Sequence, residues 1–131
     1  MKAADLGIIP IPRPVPTWPG PSDLLPHYSA GWDAYGRYEA GVQAAWLDAQ
    51  ARGMTEAEFR AMGYSIVADP DTMAPVALAG GQRAAWCMGW CEHMVSVGAM
   101  ATAISGGVND GEVLWQIAVA AVQRHRATYL P

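Results

Sequence analysis

Positive charge is scarce in this chain: eight lysines and arginines face twelve acids among 131 residues, for a formal charge of -4. A protein that tracks a nucleic-acid backbone needs a basic surface to displace counterions, so direct nucleic-acid binding is not expected. Charge of either sign is thin, at 15 % beside 52 % apolar residues. That balance excludes a disordered chain and leaves apolar surface to spare for self-association. Cysteine is limited to Cys87 and Cys91, four apart on an expected helix, which is a poor geometry for a disulfide. Prolines interrupt the N-terminus before any apolar run reaches the length of a signal peptide. The expected location is therefore the cytoplasm, with both thiols reduced. Phosphate-cradling loops are also missing, since Gly80-Gly81 and Gly106-Gly107 are isolated doublets.

What the chain does have is one domain's worth of apolar residues and a sharply divided proline distribution. Seven of the ten prolines lie between Pro10 and Pro26, which predicts an extended or polyproline II arm over residues 1–28. Ile8, Ile9, Ile11, Val15 and Trp18 make this arm apolar, so it is expected to lie along the domain or a neighbouring subunit. Arg13, Pro16 and Pro19 match a weak pattern read by aromatic grooves. Residues 29–131 read as a single α-helical domain. Trp32, Tyr35, Glu39, Val42, Trp46 and Ala49 recur at three and four, the spacing of one helix face, with Gly36 and Gly41 open to close helix approach. Thr55 and Glu58 predict a capping box for a short helix ending near Gly63, and Asp69-Pro70-Asp71 predicts a loop. A nearly uncharged helix follows over 82–105, and a last helix starts behind an Asn109/Glu112 capping box. The expected fold is all-α, a small helical bundle of about four helices with an extended proline-rich N-terminal arm.

Residues 82–94 concentrate the chemistry. Trp86 and Trp90 are four apart, as are Cys87 and Cys91, so on a helix each pair projects from one face. The cysteines with His93 form half of a zinc site, for which His27 or His125 would have to supply the fourth ligand. The usual structural pattern needs a second ligand pair, so neither metal nor cofactor is expected and the cysteines read as small buried hydrophobes. His93 sits on a different azimuth from either thiol, which leaves no Cys–His dyad on this helix. The carboxylate pairs Glu56/Glu58 and Asp69/Asp71 have structural explanations at a helix start and a proline loop. No catalytic constellation emerges, and no enzyme activity is expected. Membrane insertion is not expected either, because Glu92 and His93 would fall inside the span.

Gln82-Arg83, Trp86, Gly89-Trp90, Glu92 and Met94 resemble the second helix of ribosome modulation factor, and Tyr38-Glu39-Ala40-Gly41 resembles the end of that family's first helix. The resemblance implies a two-helix core and, as a function, a ribosome-associated dormancy factor. The residues themselves favour a non-catalytic helical binding protein that regulates or inhibits a macromolecular partner, a protein or nucleoprotein complex. Phage or mobile-element accessory proteins acting on a host complex are of this kind. On that reading Trp86, Trp90, Arg83, Trp18, Glu56 and Glu58 are the candidate interaction residues, with Trp32 and Trp46 joining the two central tryptophans in core or interface. The remaining alternative is a small zinc or thiol protein using Cys87, Cys91 and His93.

Overall fold

A computed structural model describes residues 18–129, and the arm's first seventeen residues lie outside the described part, as do the last two. Five α-helices and no strand occur among the described residues. A 3-10 turn, Ser22–Leu24, leads into α1, Leu25–Ala51; α2 is Glu56–Ala61, α3 Pro70–Met73, α4 Gly80–Ser105 and α5 Gly111–Tyr129.

Helix α1 begins four residues before the expected domain boundary at 29. Pro26 permits this because it occupies the first turn, where its missing N–H has no helical partner to lose. Tyr28, buried to 1 % exposure, therefore belongs to the helical domain and not to the arm. The helix stops at Arg52. Gly53, at φ 78, lets its own N–H reach Gln50 O while Met54 N–H reaches Ala49 O, closing a Schellman cap. Gly107, at φ 97, closes α4 in the same way through Ile104 O and Ala103 O.

The capping box of α2 forms as the spacing predicts: Thr55 Oγ1 accepts from Glu58 N–H at 3.2 Å and Glu58 Oε1 accepts from Thr55 N–H at 2.9 Å. Two local expectations are corrected. The loop expected at Asp69-Pro70-Asp71 is one helical turn, α3, because Asp69 Oδ1 accepts from Asp71 N–H at 3.0 Å with Pro70 behind it. The cap of α5 is Asp110 rather than Asn109, its Oδ1 accepting from Val113 N–H at 3.1 Å. Glu112 consequently falls in the first turn and contacts Gln116.

Between α2 and α4 the chain returns over the groove formed by α1 and α4. Tyr38 donates to Ser65 O and Tyr35 to Ile66 O, then Trp90 to Ala68 O and Arg83 to Asp71 O. As the connector advances, its partners descend along α1 and then along α4, so α1 and α4 run parallel. Helix α5 folds back antiparallel on α4, with Met100 against Leu114 and Ala118 near the turn and Glu92 against Arg126 at the far end. Helix α4 is thus central, and the burial that its low charge demands is met within one chain.

Close approach of α1 and α4 depends on Gly31 and Gly89. A Cβ on Gly31 would lie 1.9 Å from Trp86 O, and one on Gly89 2.0 Å from Tyr28 O. Of the glycines expected to serve this role, Gly36 admits the His93 ring of α4, whose Cε1 would be 3.0 Å from an added Cβ, whereas Gly41 faces nothing within 4 Å.

Candidate functional site

Parallel packing at glycine distance brings the polar residues of α1 and α4 together in the interior. Glu92 is fully buried at 0 % exposure. Its Oε1 accepts from Tyr28 Oη at 2.5 Å and from an Arg126 guanidinium N–H at 2.8 Å, while Oε2 accepts from Arg126 Nε at 2.5 Å. One carboxylate therefore ties α1 and α5 to α4. The hydrogen bond to Glu92 holds the Arg126 guanidinium above its usual pKa, and burial, reinforced by Glu92, pushes the Tyr28 phenol well above the ordinary tyrosine range. All three groups are committed to holding helices, a role the periodicity did not reveal. Helical spacing marks Glu92 as a break in an apolar helix, but nothing local says that an arginine 34 residues away closes on it.

His93 has a structural post as well. Its ring stacks on Trp32 at 4.5 Å and an interplanar angle of 16°, and Nδ1 lies 2.6 Å from Trp32 O, a contact that requires the proton on Nδ1. This turns the imidazole toward α1 and away from the thiols. Cys87 instead approaches Asp71 Oδ1 at 3.7 Å. Burial raises both thiol pKa values, with Asp71 adding to the effect at Cys87; Cys91 is pushed up to about 11 by burial and then by Cys87. Both are half-buried, free and in the poorly nucleophilic thiol form at neutral pH. Among the described residues no three His, Cys, Asp or Glu side chains gather in a way that would hold a metal.

The candidate interaction residues separate into three groups. Trp86 and Trp90, at 4 % and 1 % exposure, stack on each other at 5.5 Å inside the core, where Trp90 also meets Tyr35 edge-on and donates to Ala68 O. They are core residues, not a docking stripe. Trp32 is also buried. Arg83 clamps the connector through Asp71 O at 2.6 Å and Pro75 O at 3.3 Å, and Trp18 packs on Tyr28 at 4.8 Å with its indole N–H on Pro21 O. Glu58 is used by the capping box, whose backbone hydrogen bond lowers its pKa. Glu56 borders a concave surface.

That surface is a cleft of about 740 Å³ between α1, α2 and the start of the connector. Val42, Gln43 and Trp46 form one wall, Glu56, Phe59 and Arg60 the other, and residues 63–67 the end. Phe59 and Tyr64 stack at 4.6 Å with planes 4° apart, and Trp46 leans on Phe59 at 5.1 Å. Arg60 and Glu56 pair across one turn at 2.6 Å on the rim. Beside it Glu39 is buried to 4 % exposure with Oε1 unpartnered, and burial raises its pKa. Val42 and Trp46 are unconnected to Glu56 in the sequence pattern; the cleft arises when the chain, turning at Gly53, brings α2 back toward the end of α1.

Among the described residues no helix is long and apolar enough to cross a membrane. Comparisons with protein-family models, with curated proteins and with solved structures return no match to this chain.

Proposed function

We propose that the chain is a non-catalytic helical binding protein that regulates a protein or nucleoprotein partner through the cleft between α1 and α2. The observation that carries this reading is the division of labour among side chains. Glu92, Arg126, Tyr28 and His93, the groups with the most chemical capacity, hold helices to one another. Tyr64 and Val67, at 39 % and 69 % exposure, are instead displayed beside an aromatic wall, where docking returns apolar area to a dry environment. The test is affinity capture from the source cell with the wild-type chain and with Val67→Asp, an exposed change that leaves the core intact. A partner retained by the wild type and lost by the variant supports the reading. Equal capture by both removes the cleft from it.

A second reading, a ribosome-associated dormancy factor, is favoured by one observation. The two segments that resemble ribosome modulation factor lie against each other, with Tyr38 and Trp90 rings 5.4 Å apart. Cosedimentation with ribosomes at two salt concentrations tests it, since contact with ribosomal RNA requires a steep loss of binding as salt rises.

A further inference from the structure

We infer, on the reading that a partner docks in the cleft between α1 and α2, that the cleft takes a lysine side chain of that partner, its ammonium set against the buried carboxylate of Glu39. Glu39, Val42, Gln43 and Trp46 share one face of α1, and the last three form a wall of the cleft. Glu39, one turn before Gln43, is the buried end of that row. It is 4 % exposed, and its Oε1 meets no donor among the described residues, while the Gln43 amide hydrogen-bonds the same carboxylate. A buried acceptor left without a donor costs free energy that native interiors seldom carry. A donor arriving from outside relieves that cost, and Gln43, half-buried between Glu39 and the cleft, marks the side from which it comes.

Charge selects a cation as that donor. Arg60 is paired with Glu56 on the rim and Arg52 with Asp48 in the last turns of α1, whereas Glu39 is opposed by burial and eased by the neutral Gln43 amide. Geometry then chooses between cations. Arginine pairs with a carboxylate through a planar fork that uses both oxygens, but here Gln43 serves one and Oε1 is left. The lysine ammonium is a compact point charge that needs one oxygen. Trp46 and the exposed Tyr64 and Val67 supply apolar surface on which the lysine methylenes pack while the head stays polar.

The experiment is a nuclear magnetic resonance titration of the full chain with N-acetyl-lysine methylamide, and with its arginine and norleucine counterparts, read at the Trp46 indole resonance assigned by Trp46→Phe. The lysine probe should shift that resonance saturably, leave those of Trp86 and Trp90 in place, and bind more tightly than either counterpart by about tenfold or more, the worth of one hydrogen bond to a charged group. In Glu39→Gln, which keeps the shape of the side chain, lysine binding should fall by a similar factor. Norleucine binding as tight as lysine makes the cleft a purely apolar site, tighter arginine binding makes it a guanidinium site, and an unmoved Trp46 resonance leaves no cation site. Each of these overturns the inference on the wild-type chain, without reliance on a variant. Unchanged lysine binding in Glu39→Gln overturns it as well. Partner capture separates it from the broader reading: a partner lost with Val67→Asp but held undiminished by Glu39→Gln leaves the cleft as the docking site and overturns the lysine assignment. Equal capture by all three chains overturns both.

Discussion

Removing the Glu92 carboxylate tests the interior most directly. In Glu92→Ala the Arg126 guanidinium, with its side chain only 14 % exposed, and the buried Tyr28 hydroxyl both lose an acceptor. Three hydrogen bonds to one buried charge disappear. Breaking a buried ion pair from one side costs about 3 to 5 kcal/mol, because the surviving charge keeps its desolvation penalty after losing the Glu92 carboxylate. Arg126→Met leaves the opposite orphan, a carboxylate with no exposure at all, and should cost at least as much. Converting the set together, Glu92→Met/Arg126→Met/Tyr28→Phe, removes every orphan and should restore much of the loss, since well-packed apolar replacements of buried ionic groups are often neutral. Urea unfolding followed by tryptophan fluorescence gives each value, and a double-mutant cycle on Glu92 and Arg126 gives their coupling. A Glu92→Ala cost below about 1 kcal/mol with no coupling would refute the argument and return Glu92 to the status of an ordinary polar residue.

Gly31→Ala and Gly89→Ala should each destabilise by about 1 to 3 kcal/mol or more, because the added methyl meets a carbonyl of the opposing helix, whereas Gly41→Ala, with open space around it, should stabilise by about 0.5 to 1 kcal/mol. Thermal midpoints of the three variants separate steric from propensity effects. Glu39→Gln should raise stability at pH 8 relative to the parent. Burial raises the folded-state pKa of Glu39, so the folded protein holds that proton more tightly than the unfolded chain. The contribution is then present below the unfolded carboxyl pKa and is lost as pH rises through the folded one. The advantage of the glutamine should therefore shrink toward pH 4, and a difference independent of pH would count against the assignment. Cys91, with its thiol pKa pushed up to about 11, should react with a thiol reagent far more slowly at pH 7.5 than a free cysteine, as a timed labelling experiment would reveal.

Where local rules suffice, the sequence was legible. The capping box at Thr55 and Glu58, the ends of α1 and α4 at Gly53 and Gly107, and the buried stripe Trp32, Tyr35, Glu39, Ala49 follow from spacings of a few residues. The misplaced cap on α5 shows the limit of such rules, since Asn109 and Asp110 offer the same short acceptor and only the backbone path selects one. The candidate site was far less legible. Trp86 and Trp90 look alike as anchors or as core, because an apolar stripe reports that something covers it without saying what.

The sequence alone therefore determined helix content, helix order and which faces seek cover, since each depends on periodicity and capping within about one turn. Tertiary structure decided which helix met which. The parallel course of α1 and α4, the backbone contacts at Gly31 and Gly89, the union of Tyr28, Glu92 and Arg126, and the cleft at Trp46 all depend on contacts between residues remote in the chain. A side chain's neighbours across a helix interface are set by crossing geometry and connector path, and no local propensity encodes either.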